Sequence, residues 1–229
     1  MLNKTAFTGT ITSVKARIRL LRSFDEVPSH QYQGYVLIMD GEIGGVSRTS
    51  CKIAIGPKAH EQHQFRIGDK ISGMAIPVMD ADTEWANYYK VSALKLLERT
   101  QHGDLPPTPE GGVAPALEKY REQGHFRLHH ETCETKCFRC SFGLTMATEI
   151  IVDQWNQSKV KWRFETHCYG PRGCPLYKSG PPYRVPGRKS GMVYVDDDVE
   201  RAEGGARGLA VPFVVVFMKS CSFNDLHGY

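Results

Sequence analysis

The chain has 229 residues, 41% of them hydrophobic and 24% charged, with a formal net charge of +4. That length and balance suit one large globular domain or two small ones, each able to bury a core. No run of about 18 apolar residues is present, which excludes a transmembrane helix, and so mild a net charge is by itself no argument for nucleic acid.

Residues 1–7 lack the apolar run of a secretory leader, so the expected compartment is cytoplasmic, where thiols stay reduced. Residues 6–14 alternate small or polar with apolar side chains, and residues 17–21 continue the pattern, as a half-buried strand does. After a polar break at 23–28, residues 31–40 and 50–55 read as strands, the latter closing at Gly56-Pro57. Residues 58–65 predict a short helix. Gly68-Asp69 then predicts a tight turn opening a strand toward Pro77, and residues 88–97 a last strand.

The order of three strands, a short helix and two strands resembles the OB-fold over residues 6–99, with Arg66-Ile-Gly-Asp-Lys-Ile-Ser-Gly73 entering the fourth strand. Other small β-barrels and sandwiches are the alternative. The resemblance implies a mainly β protein with a minor α+β part, namely a five-stranded OB-like barrel followed by a small cysteine–metal module. It also implies a ligand face across the second and third strands, flanked by two loops. Arg17, Arg19, Tyr32 and Tyr35 would lie on or near that face, with Lys15 and Arg22 close by and Phe24 and Trp85 in the loops. Each ring has the alternative of belonging to the core.

Residues 102–112 contain three prolines and three glycines, which neither a helix nor a central strand sustains. Residues 115–124 predict a helix, with Pro115 at its first position and Gly124 at its stop. The division expected is thus a barrel over 1–99, a linker and short helix over 100–125, a cysteine-rich module with a basic loop over 126–200, and a tail over 201–229.

Five of the seven cysteines fall within residues 133–174, while Cys51 and Cys221 stand alone. In a reducing compartment such a cluster reads first as metal binding and second as redox chemistry. Cys137-Phe-Arg-Cys140-Ser-Phe-Gly143 resembles the knuckle of a zinc ribbon, with Cys168 and Cys174 as its second half. Four thiolates around Zn2+ make a closed structural site. Two features depart from the ribbon: five residues separate Cys168 from Cys174, and Cys133 is left over. Both keep a 4Fe-4S cluster as the alternative cofactor, with Cys133 as a ligand. The Cys-x3-Cys-x2-Cys spacing also occurs in radical S-adenosylmethionine enzymes. Those place an aromatic residue where this chain has Arg139, and the strand–helix run of their barrel is missing here. His129, His130 and His167 are candidate substitute ligands.

Between residues 156 and 190 stand eight basic residues and one acidic residue, Glu165. The cations are Lys159, Lys161, Arg163, Arg172, Lys178, Arg184, Arg188 and Lys189, and Trp162, Phe164, Tyr169, Tyr177 and Tyr183 are interleaved with them. Cations neutralise phosphates, and flat rings stack on unpaired bases. Residues 154–164 read as one strand with a cationic face that also holds Trp155. Residues 179–191, rich in proline and glycine, read as an exposed basic loop.

Asp196, Asp197, Asp198 and Glu200 read as a solvated turn, because three consecutive carboxylates do not converge on a cation. Residues 209–218 are apolar and β-prone, too short to span a membrane, and suited to an added strand or a protein partner. No phosphate-binding glycine loop, Gly-x-Ser-x-Gly turn or His-Glu-x-x-His motif occurs, so no enzyme is indicated. The expectation is a metal-containing protein that binds single-stranded nucleic acid. An iron–sulfur redox protein or enzyme is the second reading, and a protein-binding scaffold the third.

Overall fold

The computed structural model describes residues 3–23, 28–101, 113–189, 191–195 and 198–199. The readings made for Phe24, residues 102–112, Asp196, Asp197, Glu200, residues 209–218 and Cys221 lie outside the described residues. The protein is mainly β. In chain order it has β1 (Thr5–Arg22), β2 (Ser29–Ile43), β3 (Val46–Ile55), α1 (Pro57–His63), β4 (Lys70–Pro77) and β5 (Tyr88–Glu98). Then follow α2 (Leu117–Glu122), β6 (Phe126–Arg127), α3 (His130–Glu134), β7 (Gly143–Ile151) and β8 (Val160–Cys168). None of the described helices is long and apolar enough to cross a membrane.

β1 organises the molecule. One of its edges pairs with β2 along nearly its whole length, from Phe7↔Ile43 to Leu21↔Ser29. The other edge is shared, with Thr5 to Thr10 taking β4 antiparallel and Arg19 to Arg22 taking β7 parallel. Pairings β1–β2, β2–β3, β3–β5, β5–β4 and β4–β1 close a ring of five strands. The seam between β3 and β5 is a single parallel pair, Ile53↔Tyr88. From β1 the sheet continues outward through β7, β8 and β6. Residues 126–168 are therefore bonded to the ring through β1.

A bulge explains how β1 serves both parts. Phe7, Gly9 and Ile11 are buried at alternate positions, as a strand of period two requires. The register slips between Ile11 and Ser13, leaving Thr12 as the extra residue. After the slip the core-facing residues are Val14, Ala16, Ile18 and Leu20, while Ser13, Lys15, Arg17 and Arg19 point the other way. One apolar cluster takes Phe7, Ile11, Val14, Ile18 and Leu20 together with Leu37, Ile53, Phe65, Leu144 and Met146. Each such side chain contributes about 1.5–3 kcal/mol by leaving water.

The β1–β2 crossing depends on two glycines. A Cβ on Gly41 would meet the Thr8 carbonyl oxygen at 2.2 Å and Gly9 Cα at 2.4 Å. G41A is therefore expected to destabilise the ring by about 1–3 kcal/mol, by overpacking. A fall in the urea midpoint checks this, and an unchanged midpoint contradicts it.

Two sequence expectations need correction, and one strand was not anticipated. Pro115 precedes the cap of α2 rather than opening it, since Ala116 is the N-cap and Leu117 the first helical residue. The strand expected over 154–164 begins only at Val160. Asp153 and Asn156 fold the preceding segment into a turn, with Asp153 Oδ1 accepting the Trp155 N–H at 3.0 Å and Asn156 Oδ1 accepting the Ser158 hydroxyl at 2.6 Å. Finally β7, anticipated by no alternation, is buried on both faces over much of its length, which removes the polar half of the pattern.

Candidate metal centre and basic surface

The cysteines come from two stretches of chain, 133–140 and 168–174. Cys133 lies in α3, and its N–H donates to the His129 carbonyl at 3.0 Å. Cys137 and Cys140 sit on the turn that follows, closed by Cys137 N–H to Thr132 O at 2.9 Å and Cys140 N–H to Cys137 O at 3.1 Å. Gly143 starts β7 at the foot of this turn, where a Cβ would stand 2.8 Å from Cys137 Cβ. Cys168 ends β8 directly opposite Gly143 in the ladder. Cys174 follows on a turn made by its N–H to the Pro171 carbonyl at 3.1 Å.

Cys133, Cys137 and Cys168 are buried around Leu128, with Cys140 and Tyr177 packed against them. Cys174 is partly exposed and lies near Cys137 and Cys168. Burial, and then the neighbouring thiols, push the Cys137 thiol up to about 11. Burial pushes Cys168 to about 12, opposed by the Gly170 N–H, which donates to its Sγ at 3.4 Å. Burial also raises Cys133, against the charge of Lys15. The six described cysteines are free thiols. The sixth, Cys51, belongs to the core of the ring.

Lys15 enters this group from β1. Its side chain is 3% exposed, and Nζ donates to the carbonyls of Cys137 at 2.7 Å, Cys140 at 2.6 Å and Gly143 at 2.7 Å. Burial lowers its pKa, and the thiols of Cys133, Cys140, Cys137 and Cys168 oppose that shift. Beside it, the Ser13 hydroxyl donates to Phe138 O at 2.7 Å. Sequence reading placed Lys15 near a ligand face.

The donor set is chemically apt for a thiophilic cation: buried sulfurs, a backbone N–H on one of them and a cation alongside. Among the described residues, no three Cys, His, Asp or Glu side chains converge as they stand on a point that would hold an ion. The fold thus brings the thiols near one another without converging them on an ion.

The three histidines are placed differently. His130 Nε2 faces Glu134 at 3.4 Å on the exposed side of α3. His129 caps that helix, with a buried Nδ1 that lacks a partner. His167 faces away from Cys168, as neighbours on a strand do. It packs on His125 and Tyr183, with centroids 5.5 and 5.6 Å away. Burial above all, then the charge of His125, holds its pKa well below the usual range.

The predicted nucleic-acid contacts divide into two groups. Tyr35 is 1% exposed, donates its hydroxyl to Pro115 O at 2.8 Å and packs its ring on His60, so it is core and cannot stack on a base. Burial pushes its phenol up to about 12. Arg17 forms an ion pair with Glu84. Arg19 lies over the Trp162 ring at 5.0 Å. Arg163 bonds Glu165 at 2.6 Å and the Arg184 carbonyl at 2.6 Å. The Tyr183 hydroxyl accepts from Thr166 N–H at 2.7 Å and donates to Thr166 O at 3.1 Å.

Lys159, Lys161, Arg172, Lys178, Arg184, Arg188 and Lys189 are exposed. The expected basic loop is a short ribbon, in which Val185 N–H donates to Met192 O and Tyr194 N–H to Tyr183 O, both at 3.0 Å. Trp155, 94% exposed, stands at the tip of the β7–β8 turn. No protein-family model, curated protein or solved structure matches this chain.

Proposed function

We propose that this protein is a metal-dependent binder of single-stranded nucleic acid, in which a cysteine-bound ion secures the loops beneath a basic, aromatic surface. The observation that carries the reading is the gathering of Cys133, Cys137, Cys140, Cys168 and Cys174 from two separate stretches of chain into one neighbourhood. The order of pairing in the five-strand ring supports an OB-like first half. The exposed cations Lys178, Arg184, Arg188 and Lys189 follow directly on the cysteine-bearing turns, so an ion that fixes those turns also fixes the cations. Zinc held by Cys137, Cys140, Cys168 and Cys174 is the leading assignment.

A second reading has its own support. Five thiols gather rather than four, and they do not converge as around a single ion. An iron–sulfur cluster takes thiolates spread around a wider perimeter, with Cys133 among them. Visible absorption in anaerobically purified protein would select this reading.

The nucleic-acid claim is tested with R184A/R188A/K189A. If these side chains meet phosphates, the variant binds a fluorescent single strand more weakly whatever its sequence. The slope of log affinity against log salt then falls by about two, roughly 0.7 per lost contact on a single strand. Equal affinity and slope in both proteins would remove the ribbon from the interface.

A further inference from the structure

Among the described residues, the ring sends the charged side chain of Lys15 into the cysteine neighbourhood, and nothing in the sequence motif accounts for it. Three carbonyls, those of Cys137, Cys140 and Gly143, converge on Nζ at 2.6–2.7 Å. A neutral amine has only two N–H groups, so satisfying three acceptors requires the ammonium. These carbonyls belong to two of the cysteines in the turn and to the glycine that ends it. The ammonium thus sits at the centre of the turn's concave side, holding open backbone that would otherwise need water. Ser13, two residues earlier on the same face of β1, bonds the turn as well, but without charge.

We infer that Lys15 is a positioning residue for the metal centre: its ammonium moulds the 137–143 turn and supplies the positive charge that offsets the anionic metal–thiolate group. A dication held by four thiolates carries two excess negative charges, and burial leaves these unscreened by water. A cation bonded to the carbonyls of the ligand residues themselves is the economical counter-charge. Partners of this kind, outside the coordination sphere, typically change metal affinity by about 10–100-fold when removed. The inference rests on the metal reading above, and it ties the ring to that site through one side chain of β1.

The test compares wild type with K15M, K15R and S13A. Each protein is loaded with Zn2+, and its affinity is read by competition with a chromophoric chelator. Co2+ loading then gives the thiolate charge-transfer bands. K15M is expected to hold Zn2+ about 10–100-fold more weakly with shifted Co2+ bands. K15R should fall between K15M and wild type, because it keeps the charge but not the three-way bonding. S13A, which loses one neutral hydrogen bond to the same turn, should stay close to wild type. Equal Zn2+ affinity and unchanged bands in K15M would overturn the inference.

If wild type takes neither Zn2+ nor iron, the metal reading fails on its own. The moulding role is then judged by amide exchange over residues 137–143. Faster exchange in K15M than in S13A supports it, and equal exchange overturns it. Should K15M not fold, the 15N resonance of the Lys15 ammonium in wild type decides. It should be protected from solvent and should move on Zn2+ loading, and an ammonium signal that loading leaves in place contradicts the proposal.

Discussion

C137S/C140S is expected to lose the bound metal entirely and to loosen residues 128–142 and 168–178 while leaving the five-strand ring folded. The reason is the small amount of apolar surface in that region. Leu128 and Tyr177 are the non-cysteine members of the cluster around the thiols, and only Phe142 and Tyr169 of these stretches are buried in the larger core that holds Phe7, Ile11, Ile18, Leu20, Leu37 and Ile53. Structural zinc contributes about 10–16 kcal/mol to the folding of small finger peptides. The share is smaller here, because the β7–β8 ladder and Lys15 already hold part of the site. Amide exchange should rise in the two cysteine-bearing stretches and not in β2 or β3. A variant with wild-type metal content and exchange would show that the Cys137–Cys140 pair holds nothing.

The second large effect comes from Glu165, which is 0% exposed and takes two guanidinium groups. Arg22, itself 2% exposed, donates to it at 2.7 Å, and Arg163 at 2.6 Å. E165A leaves both cations facing an uncharged cavity, at a cost of about 3–5 kcal/mol, the usual penalty for breaking a buried pair from one side. R22M/E165L, which removes the fully buried Arg22–Glu165 pair and leaves only the partly exposed Arg163 without its carboxylate, should recover part of that loss. The consequence reaches the surface. Freed from Glu165, Arg163 no longer has a fixed position from which to bond the Arg184 carbonyl and hold the base of the basic ribbon. Chemical denaturation gives the stability difference, and equal midpoints for E165A and wild type would contradict the account.

The ring was readable because its strands alternate and its turns carry glycine. Gly56-Pro57 ends β3 at the expected place, and Gly68 takes the left-handed φ of +89° that a tight turn needs. β1 was seen as two runs, 6–14 and 17–21, although the strand runs unbroken from Thr5 to Arg22, and the Thr12 bulge inside the first run was not seen. The gathering of the cysteines was visible in their spacing. The part played by Lys15 was not, because a lysine on a strand gives no sequence sign of which neighbour will cover it. The same limit applied to Tyr35 and Tyr183. An aromatic ring among cations reads identically whether it stacks on a base or, as Tyr183 does, ties a ribbon to Thr166. The turn at 153–159 was missed because Asp153 and Asn156 act through side-chain bonds to nearby backbone, which override the alternation around them.

The whole account turns on whether these thiols share a metal. Elemental analysis of the full chain, purified anaerobically without added metal, measures this most directly. The prediction is one zinc ion per chain, or iron with matching acid-labile sulfide. Protein that contains neither, and whose residues 128–142 keep their amide protection in strong chelator, would contradict it.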